Sequence, residues 1–313
     1  MILDERLSFR HHIHGIIGKA NSGLALMKYL SSFVSRHVLD MTFKLYIRPH
    51  LDYGDIIFHD QLSDMMKALE SVQYKAALIV TGCWKGTNRL RLYNELGWES
   101  LADRRIFRRF SLFYKIKNDE TPRYLKDHIK YFADNQNMTQ RYKNSFFVFC
   151  QQNWPNLDAR IRQATSIVEF KRYYLEITGI RQTKNDVYNI RDKYGLSLLT
   201  RLRVKFSDLR QHRFNHHFNC PSELCLCGTD NESNEHFLLR CPRFSIQRRV
   251  LLDSVSDILQ NDINNLQNDV LTELLLYGSN RYNIIANKLL LESTIRYLKS
   301  TKRFKTIEAY EQF

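Results

Sequence analysis

The sequence predicts a mostly α fold, on three observations. Turn-forming residues are scarce, with 11 Gly and 5 Pro in 313 residues, which disfavours a turn-rich all-β chain. Apolar residues recur at intervals of three and four along several long stretches, the period of one helix face. Two Ser-x-x-acid boxes, Ser100-Leu-Ala-Asp103 and Ser166-Ile-Val-Glu169, mark helix starts. Hydrophobic residues make up 43% of the chain and aromatics 12%, which excludes a disordered polypeptide and suffices for a sizeable core.

The elements follow in order. Residues 8–32 place Phe9, Ile13, Ile16, Ala20, Leu24, Met27 and Leu30 on one face and predict a helix. Ser35 caps a second helix that Pro49 should stop near Ile47. Residues 62–81 predict a third, through Leu62, Met65, Met66, Leu69, Val72, Ala76 and Val80. The box at Ser100 opens a fourth, carrying Ile106, Phe110, Phe113 and Tyr114 to about Lys117, with Pro122 beyond its end. The polar stretch Asp134-Asn-Gln-Asn-Met-Thr-Gln140 reads as a linker. Ser145-Phe-Phe-Val-Phe-Cys150 is short, aromatic and compatible with a strand. The box at Ser166 starts a helix that Gly179 ends. Leu198 to Phe218 reads as one basic helix, and 244–260, 269–277 and 282–304 as three more. The expected division is 1–134 (helical domain), 135–196 (linker with a short strand and helix), 197–250 (basic helix and cysteine segment) and 251–313 (C-terminal helical cap).

Charge narrows the partner. There are 47 Lys and Arg against 33 Asp and Glu, a net charge of +14. The surplus is uneven: +6 in 1–135, +9 in 136–219, zero in 220–250 and −1 in 251–313. A polyanion is the partner such a surplus selects, nucleic acid ahead of an anionic membrane. The start, Met1-Ile-Leu-Asp-Glu-Arg6, has no charged-then-apolar leader, and no run of 18 apolar residues occurs. A nuclear or cytoplasmic protein, neither secreted nor membrane-spanning, is therefore expected. The triplets at Asn137 and Asn231 then read as chance glycosylation matches.

Four of the six cysteines lie within 22 residues. In a large chain without a secretory signal that clustering favours a metal over disulfides. Cys225, Cys227, His236 and Cys241 spell C-x-C-x8-H-x4-C. Three thiolates and an imidazole in a short loop suit a closed tetrahedral zinc site, which is structural because protein fills every position. Gly228 lets the chain turn after the second ligand. Cys220 is an alternative thiolate in the same segment.

The stretch before the cluster carries Arg201, Arg203, Lys205, Arg210, His212, Arg213, His216 and His217, with Phe206, Phe214 and Phe218 interleaved. Cations neutralise phosphates and aromatics can stack on unpaired bases, so the cationic residues are candidate RNA or DNA contacts, while Leu202, Leu209 and Phe214 are candidate core. Arg296, Lys299, Lys302, Arg303 and Lys305 form a second cationic group. Several chemistries are missing. No GxGxxG, GxxxxGK[ST], GxSxG or HExxH motif occurs, so no small-molecule substrate is expected. His11, His12 and His14 lack an acidic or thiol partner at ligand spacing. Asp52, Asp55, Asp60 and Asp64 show no pairing suited to metal-dependent hydrolysis. Cys83, beside Trp84, reads as a buried thiol.

A family resemblance runs through the chain. Leu7-Ser-Phe9, His12-Ile13, Lys19-Ala20, Tyr46-Ile-Arg-Pro49 and Leu51-Asp-Tyr53-Gly54 come first. Leu69-Glu-Ser-Val-Gln73, Lys75-Ala76, Thr81-Gly82, Leu101, Arg104-Arg105, Tyr114-Lys115 and Pro122 follow. Then come Trp154, Leu157-Asp158, Ile161-Arg162, Phe170-Lys171 and Gly195-Leu-Ser-Leu-Leu-Thr-Arg-Leu-Arg203, and finally the Cys225 cluster. In this order they resemble the C-terminal part of reverse transcriptases from non-LTR (LINE-like, jockey-type) retrotransposons. The resemblance implies a thumb-like domain over 1–134, a linker, and a terminal zinc-binding segment.

One departure limits what the resemblance implies. The family's RNA-directed DNA polymerase centre needs a Phe/Tyr-x-Asp-Asp turn, because clustered carboxylates hold two metal ions. This sequence has no Asp-Asp pair; Phe132-Ala-Asp134-Asn135 imitates the turn with Asn in the last place. No catalytic residue is therefore assigned. The expected product is a truncated element protein that lacks the palm and keeps RNA and/or DNA binding. The alternatives are a polymerase whose palm is supplied elsewhere, and an inert or protein-binding relic of a mobile element.

Overall fold

The computed structural model describes residues 1–2, 5, 8–58, 63–131, 139–179, 190–260, 263 and 266–304. Leu7, Asp60, Leu62, Phe132-Ala-Asp134-Asn135, Asn137 and Lys305 lie outside them. Among the described residues the protein is mostly helical, and one antiparallel bridge between Leu224 and Asn231 is the only β pairing. The chain forms two compact units, each discontinuous in sequence. One comprises Met1–Ser32, Asp40–Ala77 and Leu96–Thr183; the other comprises Phe33–Leu39, Leu78–Glu95 and Lys184–Phe313. The two short segments that join the second unit depart from the linear order of the sequence-based division.

In the first unit, α1 (Arg10–Leu30) buries Ile13, Ile16, Ala20, Leu24 and Met27, the stripe its spacing predicts. Next, α2 (Arg36–Thr42) passes through a π-helical turn, Phe43–Ile47, into α3 (Arg48–Asp52). Pro49 does not stop this run, contrary to expectation. It sits in the first turn of α3, where its missing N–H costs nothing, and the π turn absorbs the change of register. There Phe43 stacks on Trp98 with ring centroids 4.1 Å apart.

Then come α4 (Ser63–Thr81), whose last turn belongs to the second unit, α5 (Arg89–Leu96), in the second unit up to Glu95, and α6 (Leu101–Lys117). The Ser100 hydroxyl accepts the Asp103 amide at 3.1 Å, so the predicted cap forms. Short helices α7 (Arg123–Asp127) and α8 (Gln140–Lys143) precede α9 (Phe146–Asn153), α10 (Ala159–Arg162) and α11 (Ile167–Ile177). The segment expected as a strand, Ser145–Cys150, is instead the start of α9. Its aromatic side chains find partners at helical spacing: Phe146 meets Phe113 and Phe149 meets Phe110, both on α6. With no neighbouring strand among the described residues, tertiary packing overrides the local β preference. The result is an aromatic core of Phe110, Phe113, Tyr114, Trp154, Phe170 and Tyr174.

In the second unit, α12 (Lys193–Arg203) and α13 (Arg210–Asn215) replace the single basic helix expected over Leu198–Phe218. The break has a backbone cause. Lys205 adopts a left-handed φ of 55°, the Lys205 amide donates to the Leu202 carbonyl, and the Phe206 amide donates to the Arg201 carbonyl. That paired closure is a Schellman end, usually built on glycine. Phe206 then turns inward and is buried. His217, with φ 55°, ends α13 in the same way. Beyond the cysteine segment lie α14 (Ser245–Leu259), α15 (Asn268–Tyr277) and α16 (Ile284–Ser300). Leu198, Leu199 and Leu202 of α12 join Leu251, Leu275, Leu290, Leu291 and Ile295 in an aliphatic core. At Gly195 the backbone of α12 approaches Ile295 so closely that any Cβ would collide with it.

Candidate metal centre and its basic surroundings

The cysteine segment folds as two turns facing each other. In the first, the Cys225 amide donates to the Asp230 carbonyl at 2.8 Å and the Gly228 amide to the Cys225 carbonyl at 2.9 Å. Gly228 takes φ +80°, the conformation for which a glycine was expected there. In the second, the Ser233 hydroxyl accepts the His236 amide, and a π-helical turn, His236–Arg240, delivers Cys241. The Cys241 amide closes that turn onto the His236 carbonyl at 2.7 Å.

These turns bring the four predicted ligands together. One ligand atom from each of Cys225, Cys227, His236 and Cys241 lies within 4.8 Å of all the others. The Cys225 and Cys241 sulfurs are 3.8 Å apart, and Cys227 Sγ lies 3.2 Å from His236 Nε2. All three thiols are free, and Cys225, His236 and Cys241 are buried. The group can hold a metal ion. Cys220 stands apart, with its thiol directed at the Ser222 and Arg210 carbonyls. Burial raises the pKa of the Cys225 and Cys241 thiols. Burial also opposes ionisation of Cys227, but hydrogen bonds from Thr229, Cys225 and His236 overcome it and lower that thiol below its usual range. The thiolate ligand a metal requires is thus favoured first at Cys227.

The frame around the cage is built of ion pairs and main-chain bonds. Buried Glu232 accepts the Arg210 amide at 2.7 Å and a two-pronged pair from Arg303 at 2.6 Å each. Arg303 also donates to the Asp208 carbonyl, Arg248 to the Cys241 carbonyl, and the Tyr297 hydroxyl to the Phe237 carbonyl. Comparison with protein-family models, curated proteins and solved structures gives no match. What these residues do must therefore be read from their own geometry.

That geometry divides the predicted nucleic-acid contacts. Arg201 and Arg203, expected to face phosphates, are only 4% and 6% exposed. Arg201 gives Nε and Nη2 to the Gly82 carbonyl and lies 4.4 Å over the Trp84 ring. Arg203 pairs with Glu95 at 2.9 Å and donates to the Leu276 carbonyl. Arg36 makes the second pair with Glu95, at 3.2 Å, and donates to the Thr200 hydroxyl. These buried guanidiniums hold the unit together through internal acceptors.

His212 is also internal. Burial lowers its pKa to about 4, so the ring is neutral, and Nδ1 shares a hydrogen bond with the Ser207 hydroxyl at 2.8 Å. Lys205 and His217 are exposed, and Arg210, Arg213 and His216 are half-buried. Arg243 is a further exposed cation beside the cage; its position two residues after Cys241 is the signal that would have found it. No helix among the described residues is long and apolar enough to cross a membrane.

Proposed function

We propose that this chain is a nucleic-acid-binding segment derived from a non-LTR retrotransposon reverse transcriptase, with one structural zinc ion held by Cys225, Cys227, His236 and Cys241. The observation that carries the reading is the four-residue cage. Two sulfurs in a zinc tetrahedron with bonds of ~2.3 Å stand about 3.8 Å apart. Cys225 and Cys241 have that separation, 3.8 Å. The ligand set is soft, compact and supplied wholly by protein, which suits zinc in a structural role. The ion would tie the turn at Cys225 to the turn at Cys241 and so fix the loop that presents the neighbouring cations. The net charge of +14 and the ordered resemblance to the retrotransposon enzymes supply the partner, RNA or DNA. Nucleotidyl transfer is not assigned to these residues, since the sequence offers no Asp-Asp pair.

The test joins metal content to binding. Purified protein should carry one zinc per chain by elemental analysis and bind single-stranded RNA or DNA with an affinity that falls steeply as salt rises. The double variant Cys225→Ser, Cys241→Ser should lose the zinc and most of the binding. Affinity that is flat between low and moderate salt, or protein without stoichiometric zinc, would overturn the reading. So would nucleotide incorporation above background in a primer-extension assay.

A further inference from the structure

Beside the cage, within the second unit, lies a cleft of about 380 Å³ lined by Arg210, Arg213, Arg243, Lys302 and Arg303, with Leu226 and Phe244 among its apolar walls. No carboxylate lines it. Glu232 neutralises Arg303. Arg210, Arg213, Arg243 and Lys302 make no ion pair among the described residues, and Arg210 Nε is buried with no hydrogen-bond partner. Four like charges converge on one concave wall, an arrangement that costs energy unless an anion occupies it. A buried guanidinium N–H without an acceptor is a second cost, removed by an anionic oxygen.

We infer that this cleft seats the sugar–phosphate backbone of one nucleic-acid strand. The inference rests on the proposed function and names the surface that carries it out. A volume of about 380 Å³ equals a cube roughly 7 Å on edge. A cleft of that size takes a stretch of one strand's backbone and not both backbones of a duplex at once. Arginine forks suit paired phosphate oxygens, and Lys302 adds a point charge. Leu226, 66% exposed, gives an apolar rim against which a base can lie. The cage sets the cleft's shape, because Leu226 sits between Cys225 and Cys227, and Arg243 follows Cys241.

The decisive comparison uses two triple variants of equal charge change. The cleft triple is Arg213→Gln, Arg243→Gln, Lys302→Gln. The control triple, on exposed positions of the first unit, is Lys19→Gln, Lys28→Gln, Lys171→Gln. Binding of a fluorescein-labelled single-stranded RNA is followed by anisotropy across a salt series. Each lost phosphate contact lowers the slope of log affinity against log salt by about 0.7 for a single strand. The cleft triple should lower the slope by about 2 and weaken binding at least tenfold, with zinc content and circular dichroism unchanged. The control should keep the wild-type slope.

Equal slopes and affinities for the two triples would overturn the cleft while leaving RNA binding intact. Wild-type protein that binds neither single-stranded RNA nor single-stranded DNA would bring down the cleft and the proposed function together. Complete release of RNA by millimolar inorganic phosphate would mark a site for small anions and also overturn the inference. Competition by duplex as strong as by the single strand would do the same.

Discussion

The two units hold themselves together by different means. The first is centred on rings: Trp154 and Phe170 stack at 6.0 Å with 3° between their planes, and Tyr114 meets Phe170 at 4.8 Å. The second is centred on leucines, a buried Arg36–Glu95–Arg203 triad and the Cys/His cage. Aromatic packing stabilises in proportion to area and geometry and depends little on solution conditions. A cage and a charged triad depend on a ligand and on intact partners. The difference teaches where the protein is conditional: the unit that carries the proposed binding surface is also the one that holds the candidate metal cage and the buried charged triad.

Metal removal should break this symmetry most strongly. Structural zinc supplies about 10–16 kcal/mol in isolated finger peptides at neutral pH, and in the proposed site part of that would be folding energy. A tight chelator, or Cys241→Ser, should abolish hydrogen-exchange protection over residues 224–244, measured by mass spectrometry. The aromatic core between Phe110 and Tyr174 should keep its protection. Loss of protection in both regions at once would show that the cage supports the whole chain and that the contrast between units is false.

Glu95 comes next. Its side chain is 4% exposed and its carboxylate pairs with two buried guanidiniums. Glu95→Ala leaves both charges buried without their shared carboxylate, at a cost of about 3–5 kcal/mol. Denaturant unfolding followed by exchange protection of α12 should register it. Zinc content should persist at low denaturant, because Arg36 and Arg203, the ion-pair partners of Glu95, are not among the four ligands. A cost below about 1 kcal/mol would mean that the triad is solvated and not part of the core.

How much of this was legible in the sequence depended on how local the cause was. The stripe of α1 and the cap at Ser100 were readable because each is settled within one or two turns. The cage was readable for the same reason: its ligands lie within 17 residues and its turn uses a real glycine, Gly228. The two ends at Lys205 and His217 were hidden because non-glycine residues occupy left-handed positions that normally announce themselves as glycine. The roles of Arg201 and Arg203 were hidden by distance. Their acceptors, Gly82 and Glu95, lie 119 and 108 residues away. An arginine that will meet a buried carboxylate looks, in sequence, the same as one that will meet phosphate. The aromatic run at α9 misled because ring partners on α6, not neighbours in the run, decide its conformation.

The smallest expected effect sharpens the comparison by giving the first unit a condition of its own. Asp55 is 1% exposed there; its Oδ2 faces Arg108 at 3.3 Å, and Oδ1 has no hydrogen-bond partner. Burial raises its pKa from 3.8 to about 6, with Arg108 opposing the shift and Asp52 adding to it. The folded state therefore holds this proton more tightly than the unfolded state. The associated stability is fully present below about 3.8 and is lost as pH rises through about 6. The shift corresponds to at most about 3 kcal/mol. In a Trp84→Phe background the remaining tryptophans, Trp98 and Trp154, both report on the first unit. Urea unfolding in that background should show wild type gaining on Asp55→Asn as pH falls from 7 to 4, since the amide never ionises. If the two proteins keep a constant gap across that range, Asp55 is solvated and the ionic condition belongs to the second unit alone.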